Sequence, residues 1–124
     1  MSLDLLWNSK DNKIFKLGTL RYKDSLYRFN INLDELKEAI INGCYGIGNF
    51  DLKKIEYTDN KLFDFFENRL PSQSEIDEII KTYNIDKEDK MKILEITKGK
   101  KFKDNYWIEN LNKKNMERVN YSND

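Results

Sequence analysis

Histidine is absent from the 124-residue chain, and cysteine occurs once, as Cys44. These two facts bound the chemistry. Without histidine there is no imidazole general base, no Ser–His or Cys–His nucleophile pair and no His-ligated metal. A single cysteine cannot build a thiolate zinc site within one chain, nor an internal disulfide, which fits a reducing cytoplasm. Cys44 stands among glycines and apolar residues with no base beside it, so an inert buried thiol is expected. Carboxylates are plentiful but not paired. Asp86, Glu88 and Asp89 cluster at a helix start, where negative charge interacts favourably with the helix dipole. A Ca²⁺ loop needs oxygen ligands at alternating positions and a glycine turn, and Lys87 and Lys90 interrupt this row. No metal and no cofactor is expected, and the chain reads as non-catalytic.

One group of residues suits nucleic acid. Lys98, Lys100, Lys101 and Lys103 are followed by Tyr106 and Trp107, so lysines could meet phosphates while aromatics stack bases. The competing reading is a solvated strand edge whose lysines discourage pairing with other chains. The second reading is favoured, because 22 basic residues are balanced by 22 acidic ones and no global field draws the chain to a polyanion.

The elements that would position these groups follow from periodicity. Hydrophobic residues make up 39% and charged residues 35%, an ordinary composition for one small domain. No apolar run approaches a membrane span, no basic-then-apolar leader is visible, and a cytoplasmic protein is expected. Leu3, Leu5 and Trp7 alternate with polar residues. Ile14, Phe15, Leu17 and Leu20 form a second run, with Gly18 at a bulge or close approach, and Leu26, Tyr27, Phe29 and Ile31 a third. These runs predict an antiparallel meander with one buried face. Asn32 and Glu35 form a capping box before a helix carrying Leu33, Leu36 and Ile40, which Gly43 ends. Gly43, Gly46 and Gly48 follow a helix and lack dinucleotide-binding spacing, so they read as a tight loop. Leu52, Ile55 and Tyr57 suggest a short strand. Ser72 and Glu75 cap a helix with Ile76, Ile79, Ile80 and Tyr83 on one face. Asp86 can cap a further helix carrying Met91, Ile93 and Leu94, closed by Gly99, although those residues also suit a strand. Phe102, Tyr106, Trp107 and Ile108 suggest a final strand.

Residues 62–71 are distinctive: they hold three of the seven phenylalanines and end on the only proline. Wound at roughly 100° per residue, Leu62, Phe63, Phe66 and Leu70 share one face and Phe65 lies outside it. This predicts an aromatic core helix near residues 61–70, stopped by Pro71. The order Phe65, Phe66, Asn68, Leu70, Pro71 resembles the Phe-Phe-x-Asn-Leu-Leu-Pro segment near the N-terminus of HipA-type toxin kinases. Leu17-Gly18-Thr19-Leu20 and Leu26-Tyr27-Arg28-Phe29 resemble two strands of that family's N-terminal subdomain. Tyr83-Asn84-Ile85 and Ile93-Leu94-Glu95-Ile96, with Gly99, resemble its later turn and helix. The likeness covers roughly residues 4 to 99. Asp64 stands where the family has Pro, Arg69 where it has Leu, and Lys100, Lys101, Phe102 and Lys103 where it has Asp-x-x-Gly-Ala. No kinase phosphate loop or catalytic Asp/Asn pair is present.

The resemblance implies a detached N-terminal subdomain (HipS-like), acting as a small antitoxin or regulatory subunit on a separately encoded HipA-like serine/threonine kinase. Such proteins are sometimes labelled with HIRAN, a DNA-end-binding module, although its Asn-Pro-x-Asp pattern is missing here. The expected architecture is α+β: a small antiparallel β-sheet or partly open barrel packed by three to four short helices. It should occupy residues 1–109 as one domain, with residues 110–124 a polar, frayed C-terminal tail. A protein-binding site should leave an exposed aromatic or Arg anchor, and Phe65, Arg69 and Trp107 are the candidates. A nucleic-acid site, the alternative, should gather Lys98, Lys100, Lys101, Lys103 and Tyr106 on one groove.

Overall fold

The computed structural model describes residues 1–101 and 103–111. Its frame is an open five-stranded sheet: β1 (Ser2–Asn8), β2 (Ile14–Lys23), β3 (Leu26–Ile31), β4 (Glu56–Asp59) and β5 (Tyr106–Glu109). The strand order is β4-β3-β2-β1-β5, and every neighbouring pair is antiparallel. Among the described residues, four helices complete an α+β fold: α1 (Leu33–Ile41), α2 (Asp64–Glu67), α3 (Gln73–Tyr83) and α4 (Lys90–Thr97). The expected α+β class therefore holds, and the sheet does not close into a barrel.

The meander forms for local reasons. Asp24 and Ser25 both take positive φ between the paired residues Lys23 and Leu26. Such a two-residue turn matches the right-handed twist of its strands. A bulge between Leu5 and Leu6 leaves Leu17 as the extra residue of β2. A Cβ at the adjoining Gly18 would lie 2.5 Å from the Asn30 carbonyl oxygen, so only glycine lets β3 approach. Burial on β1 exceeds the expectation of one buried face. Leu3, Leu5 and Trp7 enter the core, while Asp4 and Leu6 are buried on the other side. Asp4 is satisfied there by the Thr19 hydroxyl at 2.8 Å and Lys16 Nζ at 3.3 Å.

Helix caps follow the sequence closely. The Asn32 side chain accepts from the Glu35 amide, and the Ser72 hydroxyl from the Glu75 amide. The first capping box is only half made, because the Glu35 carboxylate accepts from the Lys16 amide instead. Gly43 follows α1 with φ of 106°, as a left-handed cap should. Leu36 and Ala39 are the buried residues of α1, whereas Ile40 is exposed.

Four expectations need correction. The Phe-rich segment is a single turn, not a helix over 61–70. Phe63 is extended at the N-cap, and the Arg69 and Leu70 amides bond three residues back to Phe66 and Glu67, tightening and ending the turn. The fourth strand begins at Glu56, and Leu52 and Ile55 lie exposed before it. The segment with Met91 is a helix, capped by Asp89 and not by Asp86. Although α3 forms as expected, it buries no residue fully and Tyr83 is exposed. Phe102 and residues 112–124 of the expected tail lie outside the described residues.

The core lies against one face of the sheet. Leu5, Leu20 and Phe29 meet Leu36 from α1, Phe66 from α2 and Leu94 from α4. Phe66 is fully buried, its ring 5.1 Å from that of Phe29.

Candidate protein-binding groove

The turn of α2 fixes two aromatic side chains at the surface of this core. Phe63 and Phe65 flank buried Phe66 and are only half-buried. The loop after α1 brings Phe50 to Phe63 (5.4 Å between centroids), to Tyr57 on β4 (4.9 Å) and to Phe29 beneath (4.9 Å). The Tyr57 hydroxyl donates to the Asp51 carbonyl, tying that loop to β4. Between these elements runs an open groove of about 660 Å³. Its floor is aromatic, from Phe50, Phe63 and Phe65, and its rim carries Asp51, Asp59, Asp64, Lys61 and Lys101. Concavity, apolar lining and a few polar groups are what a side chain or small ligand needs.

Arg69 stands at one end of the groove, and the expectation of an exposed anchor there is corrected. It is 6% exposed. Nη2 lies 2.5 Å from Asp104 Oδ2, and Nη1 donates to the Gly99 carbonyl at 2.9 Å. The guanidinium also lies 4.6 Å from the Phe65 ring centre and 5.0 Å from that of Tyr106. A planar, permanently charged group needs such partners to be buried. Arg69 thus ties the end of the α2 turn to Gly99 and Asp104 and packs against Phe65.

Tyr106 closes the same cluster. Its hydroxyl donates to the Gly46 carbonyl at 2.6 Å and lies 3.5 Å from Cys44 Sγ. Burial, followed by the hydrogen bond with Cys44, pushes the phenol well above its usual range. Cys44 is buried, as expected for an inert thiol.

Of the three proposed anchors, Phe65 and Arg69 come together, and Trp107 does not join them. Side chains alternate along β5, so Tyr106 and Ile108 face the core while Trp107 faces the opposite side, across from Leu6. The four lysines do not all line this groove. Lys98 pairs with Glu109 at 3.3 Å, Lys101 lies on the groove rim, and Lys100 and Lys103 are exposed on the loop. Asp86, Glu88 and Asp89 serve local structure. The Asp89 carboxylate caps α4, and that of Asp86 accepts from the Glu88 amide. Among the described residues, no three His, Cys, Asp or Glu side chains are placed to hold a metal ion.

Sequence reasoning missed Phe50 and Tyr57 as groove residues and Asp104 as the Arg69 counter-ion. Period-2 patterning around Tyr57 was the one available hint. Nothing local signals a pair 35 positions apart. In comparisons with known proteins, no family model matches the chain and no curated protein matches it.

Proposed function

We propose that the chain is a non-catalytic protein-binding module, a small antitoxin or regulatory subunit for a separately encoded HipA-like serine/threonine kinase. The observation that carries the binding role is the open aromatic groove, with half-buried Phe63 and Phe65 beside a rigid Arg69 clamp. Preformed aromatic pockets of this kind are where side chains of a partner anchor. The identity of the partner rests on the resemblance of residues 65–71 to the kinase family's N-terminal segment. A detached module regulates a kinase when it binds one conformation more tightly than another. A bias of about 1.4 kcal/mol shifts such an equilibrium tenfold.

Co-expression with such a kinase tests the proposal. Relief of kinase-induced growth arrest and a recoverable complex are expected. Loss of both, together with salt-sensitive binding to single-stranded DNA that fails on replacing Lys100 and Lys101 by Glu, would favour the nucleic-acid alternative. That alternative draws on the exposure of these two lysines.

A further inference from the structure

A second cavity, of about 450 Å³, opens where the β2–β3 hairpin meets the start of α4, and it shares no lining residue with the aromatic groove. One wall is apolar. Tyr22 and Tyr27 pair across the hairpin with ring centres 4.3 Å apart, and Met1 and Met91 flank them. The other wall is the turn before α4, where Asp86, Glu88 and Asp89 are exposed. Tyr27 is only 7% exposed, yet among the described residues its hydroxyl makes no hydrogen bond. The Glu88 carboxylate likewise has neither a hydrogen bond nor an ion pair there. Asp86 and Asp89 each use one oxygen on a local amide and keep the other. Burial first, then Tyr22 and the carboxylates of Glu67, Asp89 and Glu88, hold the Tyr27 phenol above its usual range.

The cations nearby do not cancel the acidic wall. Both oxygens of Glu67 engage Lys90, and Lys92 pairs with Glu95. Arg21, Lys23 and Arg28 flank the two tyrosines along their strands and so face the opposite side of the sheet. Lys87 does not line the cavity. Against three carboxylates this leaves the Met1 ammonium and the fractional charge of the α4 N-terminus, roughly +0.5. We infer that the cavity binds an alkylammonium group, its hydrocarbon stem against Tyr22, Tyr27 and Met91 and its N–H groups donating to the Tyr27 hydroxyl oxygen and the Glu88 carboxylate. The inference is independent of the kinase reading. Aromatic walls attract any organic cation. A hydroxyl and a carboxylate without partners select one that can donate hydrogen bonds over a quaternary ammonium.

The probe is n-butylammonium, titrated at constant ionic strength and followed by the ring resonances of Tyr22 and Tyr27, with n-butanol and tetramethylammonium as controls. Saturable shifts of both rings are expected, with the Phe63 and Phe65 rings unmoved. Butanol should bind about tenfold more weakly, for want of charge, and tetramethylammonium about fivefold, for want of N–H groups. Tyr27→Phe keeps the ring, removes only the unpaired hydroxyl, and should weaken butylammonium about fivefold. Should that variant not fold, the exposed pair Asp86→Asn and Glu88→Gln, made together, keeps the oxygen that accepts the Glu88 amide and should weaken butylammonium about tenfold while leaving butanol unchanged. A capped glycine–lysine–glycine peptide separates the two sources of the group. Binding as tight as that of butylammonium assigns the side chain of a protein lysine, and exclusion of the peptide assigns a free alkylamine. Shifts that do not saturate, equal binding of butanol or tetramethylammonium, or an affinity insensitive to these substitutions would overturn the inference.

Discussion

The two edges of the sheet are treated in opposite ways. On β5, the outward amides of Tyr106 and Ile108 are both occupied. The Asp104 carboxylate accepts the first at 3.3 Å, and the Lys98 carbonyl the second at 2.8 Å. Asp104 is held in turn by buried Arg69. The Lys98 carbonyl and the Asp104 carboxylate thus cover this edge. On β4, Glu56 and Thr58 have no such cover among the described residues. The same backbone chemistry is closed on one side by the Asp104 carboxylate and the Lys98 carbonyl and left available on the other.

The largest expected effect tests the shared core. Phe66→Ala should cost roughly 3–5 kcal/mol in denaturant unfolding, because it empties the site between β3 and α2. A loss below about 1 kcal/mol would mean that the aromatic turn does not anchor both edges.

Breaking the β5 cover should come next. Asp104→Ala leaves the Arg69 guanidinium buried without a counter-ion, held by the Gly99 carbonyl and the Phe65 and Tyr106 rings, at a cost of about 3 kcal/mol. The Tyr106 amide should lose protection at the same time. Replacing Arg69 and Asp104 together by Met and Leu should recover much of the loss, since an apolar pair of similar volume avoids the uncompensated charge.

Phe65→Ala should cost less than Phe66→Ala, about 1–2 kcal/mol, since Phe65 is half-buried, lies under the Arg69 guanidinium and meets Tyr106 edge to face. Its effect on partner binding should exceed its effect on stability. Equal destabilisation by the two substitutions would remove the case for Phe65 as an anchor.

The alkaline limit sharpens the same comparison. The folded pKa of Tyr106 is raised above 10.0, by burial first. The unfolded chain therefore releases this proton at lower pH than the native chain does. The stabilising contribution is complete below pH of about 10 and is lost as pH rises past that value toward the native pKa. Unfolding free energy should be flat from neutrality to about pH 9 and fall above pH 10. Tyr106→Phe should reduce that fall, after losing about 1 kcal/mol at neutral pH with the bond to the Gly46 carbonyl.

What was legible in the chain was local. The capping residues Asn32 and Ser72 and the stop at Gly43 each act within a few positions, and they placed α1 and α3. What was not legible depends on chain segments far apart. Leu62 and Phe63 match a helical face by spacing, yet tertiary packing holds Phe63 extended and lets α2 run for one turn only. The period of Ile76, Ile79 and Ile80 announced a buried face, yet α3 lies at the periphery with that row half-covered. At the site, Phe65 could be singled out because it falls off the helical stripe. Arg69 could not be placed, because its counter-ion and its carbonyl acceptor lie beyond position 98. Gly99 shows the same limit. A Cβ there would come within 2.6 Å of Ile108 Cδ1, a close approach that only the assembled β5 reveals.

The open edge is tested most directly by amide hydrogen exchange on the isolated protein, comparing four residues at equal pH and temperature. Glu56 and Thr58 should exchange near the rate of an exposed loop, while Tyr106 and Ile108 should be slower by roughly a hundredfold or more. Comparable protection at both edges would contradict the distinction between a covered β5 and an open β4.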